Sequence, residues 1–167
     1  MSNLRLIKEQ SATSVSSMSI TDCFSSDFDI YQVVLTNFAH SDGDCFFRFI
    51  NSSGSVVATG YDDAVLLQRS YGSFGENYGQ NLTEMGSISY DNEQKGSSAS
   101  MWIFNPYNSD RLTQAMFMNA SASTTGTPVR TGYGWYKTLA SISGINFLPN
   151  SGTISAISVA VYGLRVD

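Results

Sequence analysis

Apolar and polar side chains alternate along short runs of this chain, and Gly, Asn, Asp and Ser separate the runs. Alternation over about four to eight residues is typical of a β-strand with one buried face, whereas an amphipathic helix repeats its apolar positions every three to four residues. No helical stripe longer than about two turns is present. The pattern therefore predicts ten short strands, at 15–20, 31–38, 45–50, 56–60, 87–90, 99–104, 113–119, 132–136, 142–147 and 154–164.

Strands of this number and length are enough for two packed sheets. We therefore predict an all-β fold, an antiparallel two-sheet sandwich of about eight to ten strands. In the run 45–50, Phe47 and Phe49 share one face, while Phe46 and Ile50 lie on the other beside Arg48. Both faces are largely apolar, so this strand is expected to be central. The predicted core contains Val33, Leu35, Phe47, Phe49, Ile103, Val159 and Val161.

Asp42 and Gly43 separate two of the predicted strands. Asp-Gly is favoured in tight hairpins because these turns need a positive φ, so a hairpin is predicted here. Three loops are expected, at 61–86, 91–98 and 120–130. Within the first loop, residues 62–67 are predicted to form one helical turn.

The same loop continues into the Gly-rich segment 71–79, which carries Tyr71, Phe74 and Tyr78. Aromatic side chains between flexible glycines suit contact with a neighbouring subunit or with a glycan. The alternative is that these rings pack against the sheet of their own chain. Both interpretations stay open.

Charge and composition narrow the function classes. Only 14% of the residues are charged, and the net charge is −5. This charge removes the electrostatic attraction on which most nucleic-acid binding depends, so a nucleic-acid partner is not expected. No run approaches the ~18 apolar residues of a membrane span, and residues 1–10 are too polar for a signal peptide. We therefore expect synthesis in a cytoplasm, with Cys23 and Cys45 as buried thiols.

Candidate catalytic and metal-binding residues are few. His40 is the single histidine, and at a hairpin tip it is expected to be exposed and not catalytic. Two Cys and one His at scattered positions cannot form a closed zinc site. Asp42 and Asp44 loosely fit a calcium loop, but the hairpin explains them better. Acidic residues that a glycosidase could use, such as Asp62, Asp63 and Glu84, have no fixed spacing. We expect no catalytic residue, metal site or cofactor.

The first ten residues differ from the rest of the chain. Leu4, Arg5, Leu6, Ile7 and Lys8 place basic and apolar side chains at the start of an acidic protein. One hypothesis is an N-terminal arm, residues 1–10, that docks onto a partner. The other is that these residues add an edge strand to a single sandwich domain, residues 11–167.

Several segments resemble one family of proteins. They are VSSMSITDCF at 15–24, FDIYQVVL at 28–35, MWIFNPY at 101–107, INFLPNSGTI at 145–154 and VAVYGL at 159–164. These segments resemble small virion proteins on the surface of tailed bacteriophages, especially phages of marine bacteria and cyanobacteria. The resemblance touches both ends and the middle of the chain.

The resemblance implies a sandwich of the jelly-roll type, commonly trimeric, with no shared catalytic residues. It implies a structural protein of the virion surface, made in the bacterial host cytoplasm. The first hypothesis is a capsid decoration protein, a knob or cement, that binds the head as a homotrimer and contacts the major capsid protein or another virion protein. The alternative is a tail fibre or tail appendage domain that binds a host surface glycan through the 71–79 aromatics, Trp102 or Trp135.

Overall fold

The computed structural model describes residues 3–70, 72–89, 96–121 and 127–165. Within these ranges the chain is all-β and contains no helix, so the predicted fold class is confirmed. All strand pairs are antiparallel. The strands are β1 (Leu4–Val15), β2 (Met18–Ile20), β3 (Ile30–Asn51), β4 (Tyr61–Arg69), β5 (Gly75–Leu82), β6 (Met85–Ser89), β7 (Ser97–Phe104), β8 (Gln114–Ser121), β9 (Pro128–Tyr136) and β10 (Ile142–Leu164).

Two layers form the sandwich, and β3 and β10 belong to both. The large sheet has the strand order β1-β10-β3-β7-β8-β9-β4-β5. The smaller layer consists of β2 and β6 beside the other halves of β10 and β3. Phe47 of β3 meets Phe117 of β8 edge to face, with 5.8 Å between the ring centroids. This contact joins the two layers through the core.

The corner between the layers lies where β3 and β10 both bend. Gly43 and Gly152 each have a φ of 73°, a conformation that glycine adopts without strain. The Asp44 backbone N–H donates to Asn150 Oδ1 at 3.0 Å, which ties the two bends together. The predicted hairpin at Asp42 and Gly43 is therefore wrong. The positive φ is present, but it forms a bulge that carries a continuous strand from one sheet to the other.

The predicted loop at 61–86 is also corrected, because it contains β4, β5 and the start of β6. No helical turn forms at 62–67. Those residues belong to β4, which pairs with β5 on one side and with β9 on the other. The sequence separation between β4 and β9 explains the error, since local propensity carries no information about such a distant partner.

The core prediction is confirmed: each of its members has a relative exposure of 1% or less. Those members are Val33, Leu35, Phe47, Phe49, Ile103, Val159 and Val161. Cys23 and Cys45 are free, buried thiols, as predicted. The segment 56–60 forms no named strand, and Val56 makes only an isolated bridge to Ile50.

Candidate interaction surface

One face of the large sheet is not covered by the smaller layer, and we call it the outer face. The strand register places its residues in two rows that each cross all eight strands. The first row, from β5 to β1, is Glu76, Leu66, Thr131, Met118, Ser100, Val34, Ala160 and Glu9. The second is Tyr78, Ala64, Tyr133, Met116, Trp102, Gln32, Tyr162 and Leu6.

Large apolar side chains are exposed along this face. Their relative exposures are 45% for Leu66, 75% for Tyr78, 49% for Met116, 56% for Met118 and 37% for Trp135. Single exposed apolar residues are ordinary on protein surfaces, but a contiguous group of them marks a site of association. The outer face is therefore the best candidate for a functional surface in the described part of the chain.

The outer face has relief. Met116 and Met118 project from β8, and we call this pair of side chains the ridge. A hollow of about 160 Å³ lies between them, and each also lines one of two larger clefts. The first cleft has a volume of about 450 Å³, extends over β3, β7, β8 and β9, and includes Val34, Thr36 and Val129 in its lining. The second has a volume of about 400 Å³, extends over β4, β5, β8 and β9, and includes Leu66, Tyr78 and Tyr133. Projecting side chains beside clefts can interlock with a complementary protein surface.

Charge is sparse on the outer face. Among the described residues, Glu76 is the only charged one that lines either cleft, and it lines the second. The ion pairs Arg48–Glu84 and Arg130–Asp44 lie elsewhere, and the pair Lys137–Asp62 lies at one end of the face, where Asp62 is the register partner of Trp135. Covering the clefts would therefore desolvate few charges, which lowers the free-energy cost of association.

Two of the three residues predicted for a subunit or glycan contact, Phe74 and Tyr78, lie at the β5 edge. Tyr78 lies on β5 and lines the second cleft. Phe74, just before β5, is 76% exposed but lines neither cleft. Tyr71 lies outside the described residues. The segment was predicted as a loop, but from residue 75 onward it is the last strand of the large sheet.

The residues predicted to dock onto a partner lie at the opposite edge, in β1. Leu4, Arg5 and Leu6 are exposed, whereas Ile7 packs against the core. The Lys8 ammonium donates to the Thr21 carbonyl oxygen at 2.6 Å. Strand β1 runs from Leu4 to Val15 and pairs with β10, so it crosses the predicted boundary after residue 10. The docking role itself stays a prediction.

Sequence reasoning missed Met116, Met118 and Leu66. A signal was present, because the four successive residues 115–118 are all apolar. In a strand, such a run places apolar side chains on both faces, here Phe117 inward and the two methionines outward. Only one of these faces can be covered by the smaller layer. The other face is therefore available for a partner.

His40 is a correction, because it is fully buried in β3 rather than exposed at a turn. Its Nε2 lies 2.9 Å from Ser89 Oγ, and its Nδ1 lies 3.3 Å from the Asp42 carbonyl oxygen. Ser89 is also fully buried and continues the chain of hydroxyl contacts to Ser97 at 3.1 Å. A buried His–Ser pair offers no access for a substrate. We assign this pair to the structure of the core.

The acidic residues considered for hydrolysis hold the fold together. Asp62 pairs with Lys137 at 3.3 Å, and its Oδ1 accepts a hydrogen bond from the Asn81 backbone N–H at 2.8 Å. Asp63 accepts one from the Gly86 backbone N–H at 2.7 Å. Burial raises the pKa of Asp63 above its ordinary value. These carboxylates connect β4 to β5, to β6 and to the residue that follows β9.

Other reactive or metal-binding groups contribute little to the candidate site. Burial raises the pKa of the Cys23 thiol to about 12, and it raises that of Cys45 further. Both thiols therefore stay protonated at neutral pH. In the described ranges, no three His, Cys, Asp or Glu side chains converge as metal ligands. Within the same ranges, no helix is long and apolar enough to span a membrane.

Comparisons with known proteins give weak similarities. No family model and no curated protein sequence matches the chain. The chain is similar to a mutant Trypanosoma rangeli sialidase with trans-sialidase activity, at 13% identity and a TM-score of 0.36, covering 83% of this chain and 21% of that one. It is similar to a tail fibre protein of an E. coli phage, at 10% identity and a TM-score of 0.31, covering 99% and 22%.

A single-residue mutant of congerin II is also similar, at 10% identity and a TM-score of 0.31, covering 92% of this chain and 99% of that one. The chain spans about a fifth of the length of the sialidase and of the tail fibre protein. All three TM-scores are low, so these similarities carry no argument about function.

Proposed function

We propose that this chain is a non-enzymatic structural protein of a tailed-bacteriophage virion, a capsid decoration protein that binds the head surface as a homotrimer. The observation that carries the proposal is the apolar, nearly uncharged outer face. A surface of this kind serves to bury itself against protein, and a decoration protein must make such contacts.

Attachment to the head is assigned to the β1 edge. Arg5 is a basic, exposed side chain on a chain of net charge −5, and it is flanked by the exposed Leu4 and Leu6. An edge strand also presents backbone N–H and C=O groups that a partner strand can pair with. The proposed partner there is the major capsid protein or another virion protein.

Binding to particles tests this proposal. Phage heads that lack the protein are mixed with the purified chain, sedimented, and imaged by cryo-electron microscopy. We expect extra density at regular positions on the head. An Arg5→Ser variant is expected to bind at least tenfold less, while Leu139→Ser, which alters an exposed leucine in the β9–β10 loop, is the matched control. Density on the tail alone, or none, would contradict the proposal.

A second candidate function is glycan binding by a tail appendage, and a separate cleft favours it. This cleft has a volume of about 220 Å³ and lies between the loops before β3 and after β7. Tyr107, which is 40% exposed, lines it together with Asp29, Asn105 and Asn108. A ring face beside planar carboxylate and amide groups can stack on a pyranose and bind its hydroxyls.

Saturation-transfer NMR with glucose, galactose and N-acetylglucosamine tests the second candidate. We expect signal transfer to at least one sugar in the native chain and its loss in Tyr107→Ala. Tyr78→Ala, on the outer face, is the control and should leave the transfer unchanged. If none of the three sugars shows transfer, this candidate is rejected.

A further inference from the structure

We infer that the outer face is the surface through which copies of this chain meet, with the Met116–Met118 ridge of one copy seated in the first cleft of the next. The inference rests on the proposed function and deepens it, because it names the partner of this face. It also separates two surfaces: the outer face joins subunits, and the β1 edge contacts the particle.

Shape supports a second copy as the occupant. The ridge and the clefts lie side by side on the same sheet, so each copy offers both halves of an interlocking contact. Methionine side chains are flexible and polarizable, and they fill irregular hollows well. The first cleft, at about 450 Å³, has room for the tips of two such side chains. A ridge placed in the neighbour's cleft is a head-to-tail contact, which closes into a ring when the rotation between copies is suitable.

The distribution of charge favours the outer face as the contact surface, and it favours the first cleft over the second. Copies with a net charge of −5 repel one another, so their contact costs least where acidic groups are sparse. Glu76 lines the second cleft, and burying its carboxylate without a partner would be costly. None of the described residues that line the first cleft is charged. The first cleft is therefore the one assigned to the ridge.

The dimensions of the face agree with a subunit interface. Eight strands spaced about 4.8 Å apart span about 34 Å, and residues 114–120 of β8 extend over about 20 Å. The product is about 700 Å² of flat area, the order of the ~800 Å² that a partner buries in one standard interface, and in a ring the two neighbours of each copy would share it. A monosaccharide would cover only a small part of it.

Solution mass provides the first test. By light scattering, the native chain is expected to have three times the mass of the monomer. Met118→Glu should reduce it to the monomer mass, because it places a carboxylate in the interface, while the circular dichroism spectrum stays that of a β protein. Leu139→Glu is the matched control, since Leu139 is 59% exposed and lies in the β9–β10 loop. It should remain a trimer.

Cross-linking provides the second test, and the native cysteines leave a clean background. Cys23 and Cys45 are buried, so a thiol reagent will modify an introduced exposed cysteine first. A tagged Met118→Cys chain is mixed with a differently tagged Thr36→Cys chain and treated with a short bismaleimide. Thr36 is exposed and lines the first cleft. We expect covalent pairs of the two tags, and none when Met118→Cys is mixed with Leu139→Cys.

The outcomes separate this inference from the proposed function. A trimer that persists in Met118→Glu, or that gives no Met118–Thr36 cross-link, overturns the inference. It does not overturn the proposed function, because binding to the head is measured separately in the particle experiment. A native monomer that still decorates heads overturns the inference too, and so does a Met118→Glu trimer that no longer binds heads, because the outer face would then contact the capsid.

Discussion

The two faces of the large sheet are built by the same strands, yet one face is buried in the sandwich and the other is exposed. On β8, Ala115 and Phe117 point into the sandwich and are buried, while Met116 and Met118 point outward and are about half exposed. Both sets are apolar. The difference is that the bent halves of β3 and β10 cover only the inner face. The apolar pattern of a strand therefore predicts that a face will be covered. It does not predict whether the same chain or another one covers it.

Packing also differs between the faces. The Phe117 ring fits against two glycines: a Cβ added at Gly132 would lie 2.2 Å from it, and one at Gly86 would lie 2.5 Å from it. No side chain larger than hydrogen fits there. On the outer face, clefts of about 400 and 450 Å³ remain open. Substitutions should therefore affect stability on the inner face and association on the outer face.

The largest effect is expected from Phe47→Ala on the inner side. Phe47 is fully buried and contacts the rings of Phe49 and Phe117, so its truncation leaves a cavity at the junction of the two layers. The free energy of unfolding should fall by about 3–5 kcal/mol, measured by urea denaturation. A fall below about 1 kcal/mol would show that the inner face is not the packed one.

Gly132→Ala should have the next largest effect. The added methyl group would overlap the Phe117 ring, which is held from the other side by Gly86, and the expected cost is about 1–3 kcal/mol. Gly72→Ala is the control, because its Cβ would lie 3.9 Å from the nearest atom, the Arg69 Cδ. Equal stabilities of the two variants in urea would argue against tight packing around Phe117.

Asp63→Asn tests how strongly the inner side of the sheet excludes water from the carboxyl group on β4. Burial raises the pKa of Asp63 in the folded state, so the folded protein binds this proton more tightly than the unfolded chain. The protonated Asp63 therefore stabilises the folded protein at a pH below the ordinary carboxyl pKa. This stabilisation is lost as the pH rises through the raised pKa of Asp63 in the folded state. The variant keeps an acceptor for Gly86 and should melt above the native protein at pH 7. The difference in Tm should shrink toward pH 3, and a constant difference would contradict the assignment.

The smallest effect on folding is expected from Met118→Ala. At concentrations where the chain is monomeric, the free energy of unfolding should change by no more than about 0.5 kcal/mol, because the side chain is half exposed. Denaturation of a dilute sample measures this. A loss above about 2 kcal/mol would mean that Met118 is part of the fold and not of an interface.

Prediction from sequence succeeded where alternation was strict. Residues 31–38 and 154–164 read as strands, and their core positions are buried as expected. It failed at 61–82, where Asp62, Asp63 and several glycines favour a loop, because β4 is held by its distant partner β9. Tyr78, which the sequence offered as a candidate contact residue, is exposed on β5, and its role stays a prediction. The methionines were not among the candidates, because the cover of a face depends on tertiary bending that the local pattern does not encode.

The shared strands also have a kinetic consequence. Residues 30–51 of β3 pair with residues 142–164 of β10 along nearly their whole length, although about a hundred residues separate them in the chain. Contacts of such high contact order form slowly, because the intervening chain must close into a large loop first. Neither layer can complete its hydrogen bonding before β3 and β10 have paired. The protein should therefore fold slowly and in one cooperative step, and a nascent chain cannot complete either layer until β10 has left the ribosome.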